Sequence, residues 1–252
     1  NFRQRDPGKT VDDLVWLKER YGAQSFFFTD ECFALSPTKR LCQQMIDRQV
    51  NVKWTCELRF EKNLTRELLG QMRDAGCLKI VFGLESFNQR VMDFMKKGIK
   101  QESVRRIVDD CVDLGIAVHC YVIVGFPTEK EEEALDTMNF VVGNKKLHES
   151  YGFSCQPCLF DLEKEAPIMS DPGSYGIRRI MRPATEDLSL GFFYEVQEGM
   201  TPAQAEQLYQ QVYEKISEVV CELPFNYSMA DGLLYIARAK SQALQVPQPT
   251  GS

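Results

Sequence analysis

Four short apolar runs in this chain end on residues that can do chemistry. Ser25–Thr29 gives way to Asp30-Glu31, and Val52–Cys56 to Glu57-Leu58-Arg59. Leu78–Phe82 ends on Gly83-Leu84-Glu85-Ser86, and Ala117–Val124 on Gly125-Phe126-Pro127. Carboxylates accept charge-assisted hydrogen bonds, and an arginine presents a fixed fork of donors. The Gly-Phe-Pro turn offers a close-approach backbone and an apolar surface. Any one of these ends also reads as polar residues opening a loop, or as a tight strand-to-helix turn. Four in succession favour a shared site, on the edge of a parallel sheet where barrel enzymes place their chemistry.

The elements carrying those ends alternate between two periodicities over the first 160 residues. Residues 10–21 set Val11, Leu14, Val15 and Leu17 at helical spacing, with Gly22 placed to end that helix. Ser36 is the expected N-cap, and Pro37 the first residue, of a helix over 37–48. Further helices are expected over 65–75 before Gly76, around 88–95, and over 101–114 before Gly115. In the last of these, Val104, Ile107, Val108 and Cys111 recur at i, i+3, i+4, i+7. Thr128 and Glu131 read as a capping box for a helix to about residue 142, and 151–159 as a fifth strand. Apolar strands without alternation, separated by amphipathic helices, mean β/α units around a parallel sheet buried on both faces.

Beyond residue 160 the alternation stops. Residues 161–200 read as irregular, interrupted by Pro167, Pro172, Gly173, Gly176 and Pro183. Thr201-Pro202 with Gln204 then opens a helix that turns Ala205, Leu208, Val212 and Ile216 inward. A last helix is expected over 227–240, and 246–252 as a disordered tail. The chain divides on this reading into a barrel core over 1–160, accessory segments over 161–245, and the tail.

Composition narrows the classes. The 252 residues are 44% hydrophobic and 26% charged, enough to bury a sizeable core as one large domain. A net charge of −6 argues against nucleic acid as the main partner. No apolar run reaches membrane-span length and no signal sequence opens the chain, so nine cysteines read as reduced thiols of a cytoplasmic protein. Cys155-Gln-Pro-Cys158 invites a redox or cluster reading, but one pair supplies too few ligands and i, i+3 on a strand splits the sulfurs between faces. His119 and Tyr121 share a strand face and read as a core pair.

The same segments resemble the radical S-adenosylmethionine (SAM) superfamily, in particular the branch that often carries an upstream cobalamin-binding domain. The resemblance runs from about Asn1 to Ile177 and covers Phe2–Val11 and Phe28–Phe33. Its most specific parts are Gly83–Ser86 with Arg90–Gly98, and Val122–Glu129. It implies an α/β fold, a partial parallel (β/α)6 TIM-like barrel missing its first strand, with a C-terminal helical extension. The family's C-x3-C-x2-C motif, whose thiolates hold a [4Fe–4S] cluster, does not occur here; the first cysteine is Cys32. Its ligands are expected upstream of Asn1, the chain being a fragment; the alternative is a cluster-free relative acting as a binding or scaffold protein.

By position, the resemblance assigns Asp30 and Glu31 to the SAM amino group, Arg59 to its carboxylate, and Glu57 to orienting either. Glu85 and Ser86 fall at the ribose position, and Gly125, Phe126 and Pro127 at the adenine. The implied activity is a 5′-deoxyadenosyl radical generated next to the cluster, in cobalamin-linked methyl transfer. The partners implied are a small-molecule or peptide substrate and a reductant such as flavodoxin or ferredoxin. Nothing in the sequence assigns the substrate.

Overall fold

The computed structural model describes residues 5–30, 32–149, 153–182 and 191–219. Helix α1 (Pro7–Tyr21) leads into strand β1 (Ser25–Phe27), α2 (Leu35–Asp47) and β2 (Lys53–Leu58). Then follow α3 (Arg66–Asp74), β3 (Cys77–Glu85), α4 (Gln89–Phe94), α5 (Gln101–Asp113) and β4 (Ala117–Val124). Helices α6 (Glu131–Gly143) and α7 (Lys145–Glu149) precede β5 (Ser154–Leu159). The five strands form one parallel sheet in chain order, β1-β2-β3-β4-β5, curled into a half-barrel with flanking helices. Sequential order with a helical crossover at each step is what the alternating pattern dictates.

The register sorts side chains onto two faces. Trp54, Cys56, Leu58, Ile80, Phe82, Leu84, Val118, Cys120, Val122 and Val124 turn toward the helices and are buried in one core with Leu69, Met72, Ile107 and Val141. The Trp54 indole N–H, fully buried there, donates to Ala75 O at 2.9 Å. The alternate residues line the inner face. Thr55 pairs with Lys79, Val81 with His119, and His119 with Ser154.

Helix starts differ from the periodicity at three places. α1 opens at Pro7, because Asp6 accepts from Lys9 N at 3.2 Å and a proline suits the first turn; Gly22 closes it in the left-handed region at φ 67°. α2 opens before Ser36-Pro37, at Leu35, with no side-chain cap. Its start is set by the loop instead, where Phe33 N donates to Glu57 O at 3.0 Å. The capping box of α6 lies two residues beyond Thr128: the Glu133 carboxylate accepts from Lys130 N at 2.9 Å, while Thr128 takes φ 72°.

The stretch read as irregular contains a three-stranded antiparallel sheet, β6 (Leu162–Glu163), β7 (Ile177–Met181) and β8 (Gly191–Val196), in the order β6-β8-β7. Its strands are short, and Arg178-Arg179 breaks the alternation that would betray β7. Leu162, Ile168, Ile177 and Tyr194 form its own small core. Helix α8 (Pro202–Val219) keeps the expected Thr201–Gln204 box and buries Ala205, Leu208, Val212 and Ile216 against α6, β4 and β5. The helix expected over 227–240 and the tail over 246–252 lie outside the described residues. Among the described residues, no helix is long and apolar enough to cross a membrane.

Candidate functional site at the strand-end rim

Parallel strands bring their C-terminal ends to one edge, so residues 24 to 97 positions apart in sequence, from Arg59–Gly83 to Asp30–Pro127, come to that edge. The loop after β1 is tied to β2 at both ends: Phe28 N donates to Thr55 O and Phe33 N to Glu57 O, each at 3.0 Å. Phe28, Phe33 and Trp54 pack together, with Phe28 edge to face on Trp54 and the other two pairs tilted. Asp30 lies exposed on this loop, and Glu31 falls outside the described residues.

Glu57 is half-buried and Arg59 exposed at the end of β2. Arg59 lines a small cavity together with Gly83, Leu84 and Lys97, so the β2 and β3 ends share one wall. Glu85 closes β3 at φ 60°, with Ser86 N reaching back to Leu84 O at 2.8 Å, and the β3–β4 register shifts at Gly83/Glu85. A non-glycine residue in the left-handed region is strained, and such positions cluster at functional sites. The Glu85 carboxylate pairs with Lys97 Nζ at 2.9 Å.

Ser86 is placed differently. Its side chain is fully buried, accepts from Asn88 N at 3.1 Å and lies 3.3 Å from Thr137 Oγ1 on α6. Its hydroxyl joins β3, α4 and α6, so at this turn Glu85 carries the exposed polar function.

Beyond β4, Gly125 takes φ 85°, and a Cβ there would meet Ala205 Cβ at 2.4 Å. Gly125 N donates at 2.7 Å to Glu129 Oε2, a carboxylate with no exposure whose other oxygen has no hydrogen-bond partner among the described residues. Burial pushes that carboxyl up to about 8, with the nearby Glu133 charge adding to it and the Gly125 N–H opposing. Pro127 is buried, while Phe126 is half-buried in a cluster with Phe94, Phe160 and Tyr175. Arg90 braces the turn from α4, donating to both Glu133 oxygens at 2.5 Å and to Thr128 O at 2.8 Å.

Three groups that the sequence reading did not assign to the rim lie near it. Lys97 lies twelve residues from Glu85, a separation with no fixed meaning on a helix or strand. Tyr121 is held protonated by burial and then by the Glu57 charge. Cys158 is raised by burial and then by Glu85. These couplings put Tyr121 and Cys158 near the rim carboxylates; strand alternation from His119 was the available signal. Cys155 turns to the other side, where burial and then Cys120 raise its thiol. Among the described residues, no three His, Cys, Asp or Glu side chains are grouped to hold a metal ion.

The rim thus holds two carboxylates, an arginine and a lysine beside a tight glycine turn and an aromatic wall. That donor set fits a zwitterionic ligand with a polar ring portion and a flat apolar one. Comparisons with known proteins agree with the fold. The family model described as Radical SAM superfamily matches residues 1–141. An uncharacterized methyltransferase of Pyrococcus horikoshii is 27% identical over 152 residues, which is 60% of this chain and 32% of that protein. The anaerobic magnesium-protoporphyrin IX monomethyl ester cyclase of Rubrivivax gelatinosus is 29% identical over 140 residues, 54% of this chain and 25% of that protein. The chain therefore spans a third or less of these relatives' length. Among solved structures, the radical S-adenosylmethionine methyltransferase TsrM of Kitasatospora setae, with cobalamin and [4Fe-4S] cluster bound, shares the fold. It superposes at a TM-score of 0.66 and 14% identity, covering 96% of this chain and 56% of that one. With the family model matching more than half of its residues, the chain belongs to the radical SAM superfamily.

Proposed function

We propose that this barrel binds SAM along its strand-end rim and serves a radical SAM enzyme that carries out cobalamin-linked methyl transfer next to a [4Fe–4S] cluster. The observation that carries the reading is the meeting of Arg59, Glu85 and Lys97 at the ends of β2 and β3, with Glu57 at the end of the same β2 strand. In this reading Arg59 pairs with the ligand carboxylate, and Asp30, Glu31 and Glu57 accept from its ammonium. Glu85, steadied by Lys97, accepts from ribose hydroxyls. Gly125, Phe126 and Pro127 face the adenine, and Ser86 shapes the β3 turn from behind.

The donor set does not fit the cluster. Among the described residues no group of three thiolates or other ligands exists to hold iron. The reading expects those ligands before Asn1. SAM in turn would supply the methyl group or the adenosyl fragment. The cobalamin link, the small-molecule or peptide substrate, the flavodoxin- or ferredoxin-type reductant and a cytoplasmic setting belong to the same reading. They draw on the names of the relatives and on the resemblance.

The test uses the longest reading frame containing this chain. That frame should encode C-x3-C-x2-C, take up iron with the broad visible absorbance of a [4Fe–4S] cluster, and bind SAM by calorimetry. Arg59→Ala and Glu85→Ala should each weaken SAM at least tenfold without loss of iron. A frame that binds neither iron nor SAM sinks the enzymatic reading and leaves a cluster-free binding protein.

A further inference from the structure

Well below the rim, the inner face of the sheet carries a polar group that the rim chemistry does not use. Lys79 lies on β3, His119 on β4 and Ser154 at the start of β5. Lys79 Nζ donates to Ser154 Oγ at 2.9 Å, and the same oxygen is 2.7 Å from His119 Nδ1. Lys79 and His119 are each only 8% exposed.

Neither nitrogen base has the partner its burial calls for. No carboxylate acts on Lys79; burial lowers its ammonium to about 8, and only the Cys120 thiol counters this. The group is therefore mostly charged at neutral pH. His119 is neutral, pushed down to about 3 by burial and then by the Lys79 charge. Because Ser154 Oγ accepts from the ammonium, its own O–H is free to donate to Nδ1, and that puts the imidazole proton on Nε2. This Nε2 is buried without a hydrogen-bond partner among the described residues. Among the described residues, the inner face therefore holds a buried cation without a counter-charge and a buried N–H without an acceptor, in an interior where charges are normally paired.

We propose that Lys79, Ser154 and His119 form a carboxylate-binding site inside the half-barrel. The ammonium supplies the counter-charge, the His119 Nε2–H a second donor, and Ser154 locks the imidazole in the donating tautomer. One cation with two donors matches a carboxylate; a phosphate dianion calls for more of both. Tyr121, edge-on to His119 at 4.7 Å, and Val81 continue the same face toward the rim as walls for an aliphatic chain. From Lys79 to Glu85 is roughly 20 Å along the strand. The carboxylate therefore belongs to a free small acid or to the far end of a long substrate whose other end lies at the rim. The site stands independently of the SAM reading, since none of its residues is at the C-terminal strand ends.

The experiment is calorimetric and thermal-shift titration of the protein with sodium acetate and sodium hexanoate, against sodium chloride of equal ionic strength and hexanamide. The two carboxylates should bind and stabilise; chloride and hexanamide should not. Lys79→Met and His119→Phe, which keep the bulk, should each lose at least tenfold in affinity. Equal affinity for acetate and hexanoate identifies a free small acid, and hexanoate at least tenfold tighter identifies a substrate arm. Should the variants fail to fold, the Lys79 ammonium followed by carbon-13 NMR in the unaltered protein decides. Its pKa should rise by about one unit on saturation with hexanoate, the shift for tenfold tighter binding to the charged form. An unchanged pKa, or undiminished hexanoate binding by Lys79→Met, overturns the proposal and leaves both nitrogens to water.

Discussion

Replacing Glu129 by glutamine should change how stability depends on pH. In the folded chain the carboxyl is fully buried, with one oxygen held by Gly125 N at 2.7 Å and the other unpartnered. Its pKa rises from 4.5 to about 8, chiefly through burial. Below pH 4.5 folded and unfolded chains both carry the proton, and the contribution to stability is complete. Between 4.5 and 8 only the folded chain keeps it, so stability falls by about 1.4 kcal/mol per pH unit. Above 8 both forms are ionised and the loss stops. Over that window the fall amounts to about 5 kcal/mol, an upper figure because the surroundings relax around a buried charge. Glutamine keeps an acceptor for Gly125 N and removes the ionisation, while its buried amide adds a pH-independent cost of about 1–3 kcal/mol. Urea unfolding of both proteins at pH 5, 6, 7 and 8 separates these effects. The variant should gain on the parent steadily as pH rises. Two curves that stay parallel within about 1 kcal/mol would refute the argument that this carboxyl is protonated in the fold.

Three further outcomes follow from named contacts. Gly125→Ala places a methyl 2.4 Å from Ala205 Cβ at a positive φ, and should cost about 3 kcal/mol or more, read as a lowered urea midpoint. Glu85→Gly relieves a left-handed glutamate while breaking a partly exposed ion pair, so stability should hold within about 1 kcal/mol. In the cluster-bearing protein the same change should weaken SAM at least tenfold by calorimetry. Arg90→Met removes the forked pair with Glu133, whose carboxyl Arg90 holds below its usual range, and should cost about 1–2 kcal/mol at pH 7. Because that folded pKa is depressed, the deficit should shrink as pH falls below 4.5, which thermal unfolding at pH 4 and pH 7 would reveal.

The barrel half of this chain was legible because each strand is a short apolar run that a glycine or charged residues end. Register and crossover then follow from chain order. Helix starts were less legible: α2 begins where Phe33 is pinned to β2, a contact distant in sequence that overrides the local Ser-Pro signal. The antiparallel sheet was hidden because β6 has two residues and β7 carries paired arginines, and both strands exist only through pairing with β8. The polar residue types read at the strand ends do lie along one edge of the parallel sheet. Direction was beyond their reach: Ser86 and Glu85 are adjacent, yet the Glu85 turn sends one side chain into the helix layer and the other to the rim. Lys97 and the buried Lys79–His119 group could not be read at all, since their meaning lies in cross-strand proximity and missing partners.

The change of sequence character near residue 160 also conceals a continuity that matters for the site. Gly125 lies against Ala205 of α8, so close that no side chain fits between them. Gly199 lies so close to the backbone of Thr128 and Glu129 that a Cβ there would clash with both, and Met200 N donates to Glu129 O at 2.8 Å. Gly176 packs on the Thr128 methyl, and Arg90 grips the same threonine from α4. Thr128 is a β-branched residue at φ 72°, a conformation that persists only where its surroundings enforce it. The segment beyond β5 supplies much of that enforcement. A change in α8 or in the loop before it should therefore be felt at the Gly125 turn, and the shape of the rim pocket is set jointly by the barrel and by the piece of chain whose sequence looks least like one.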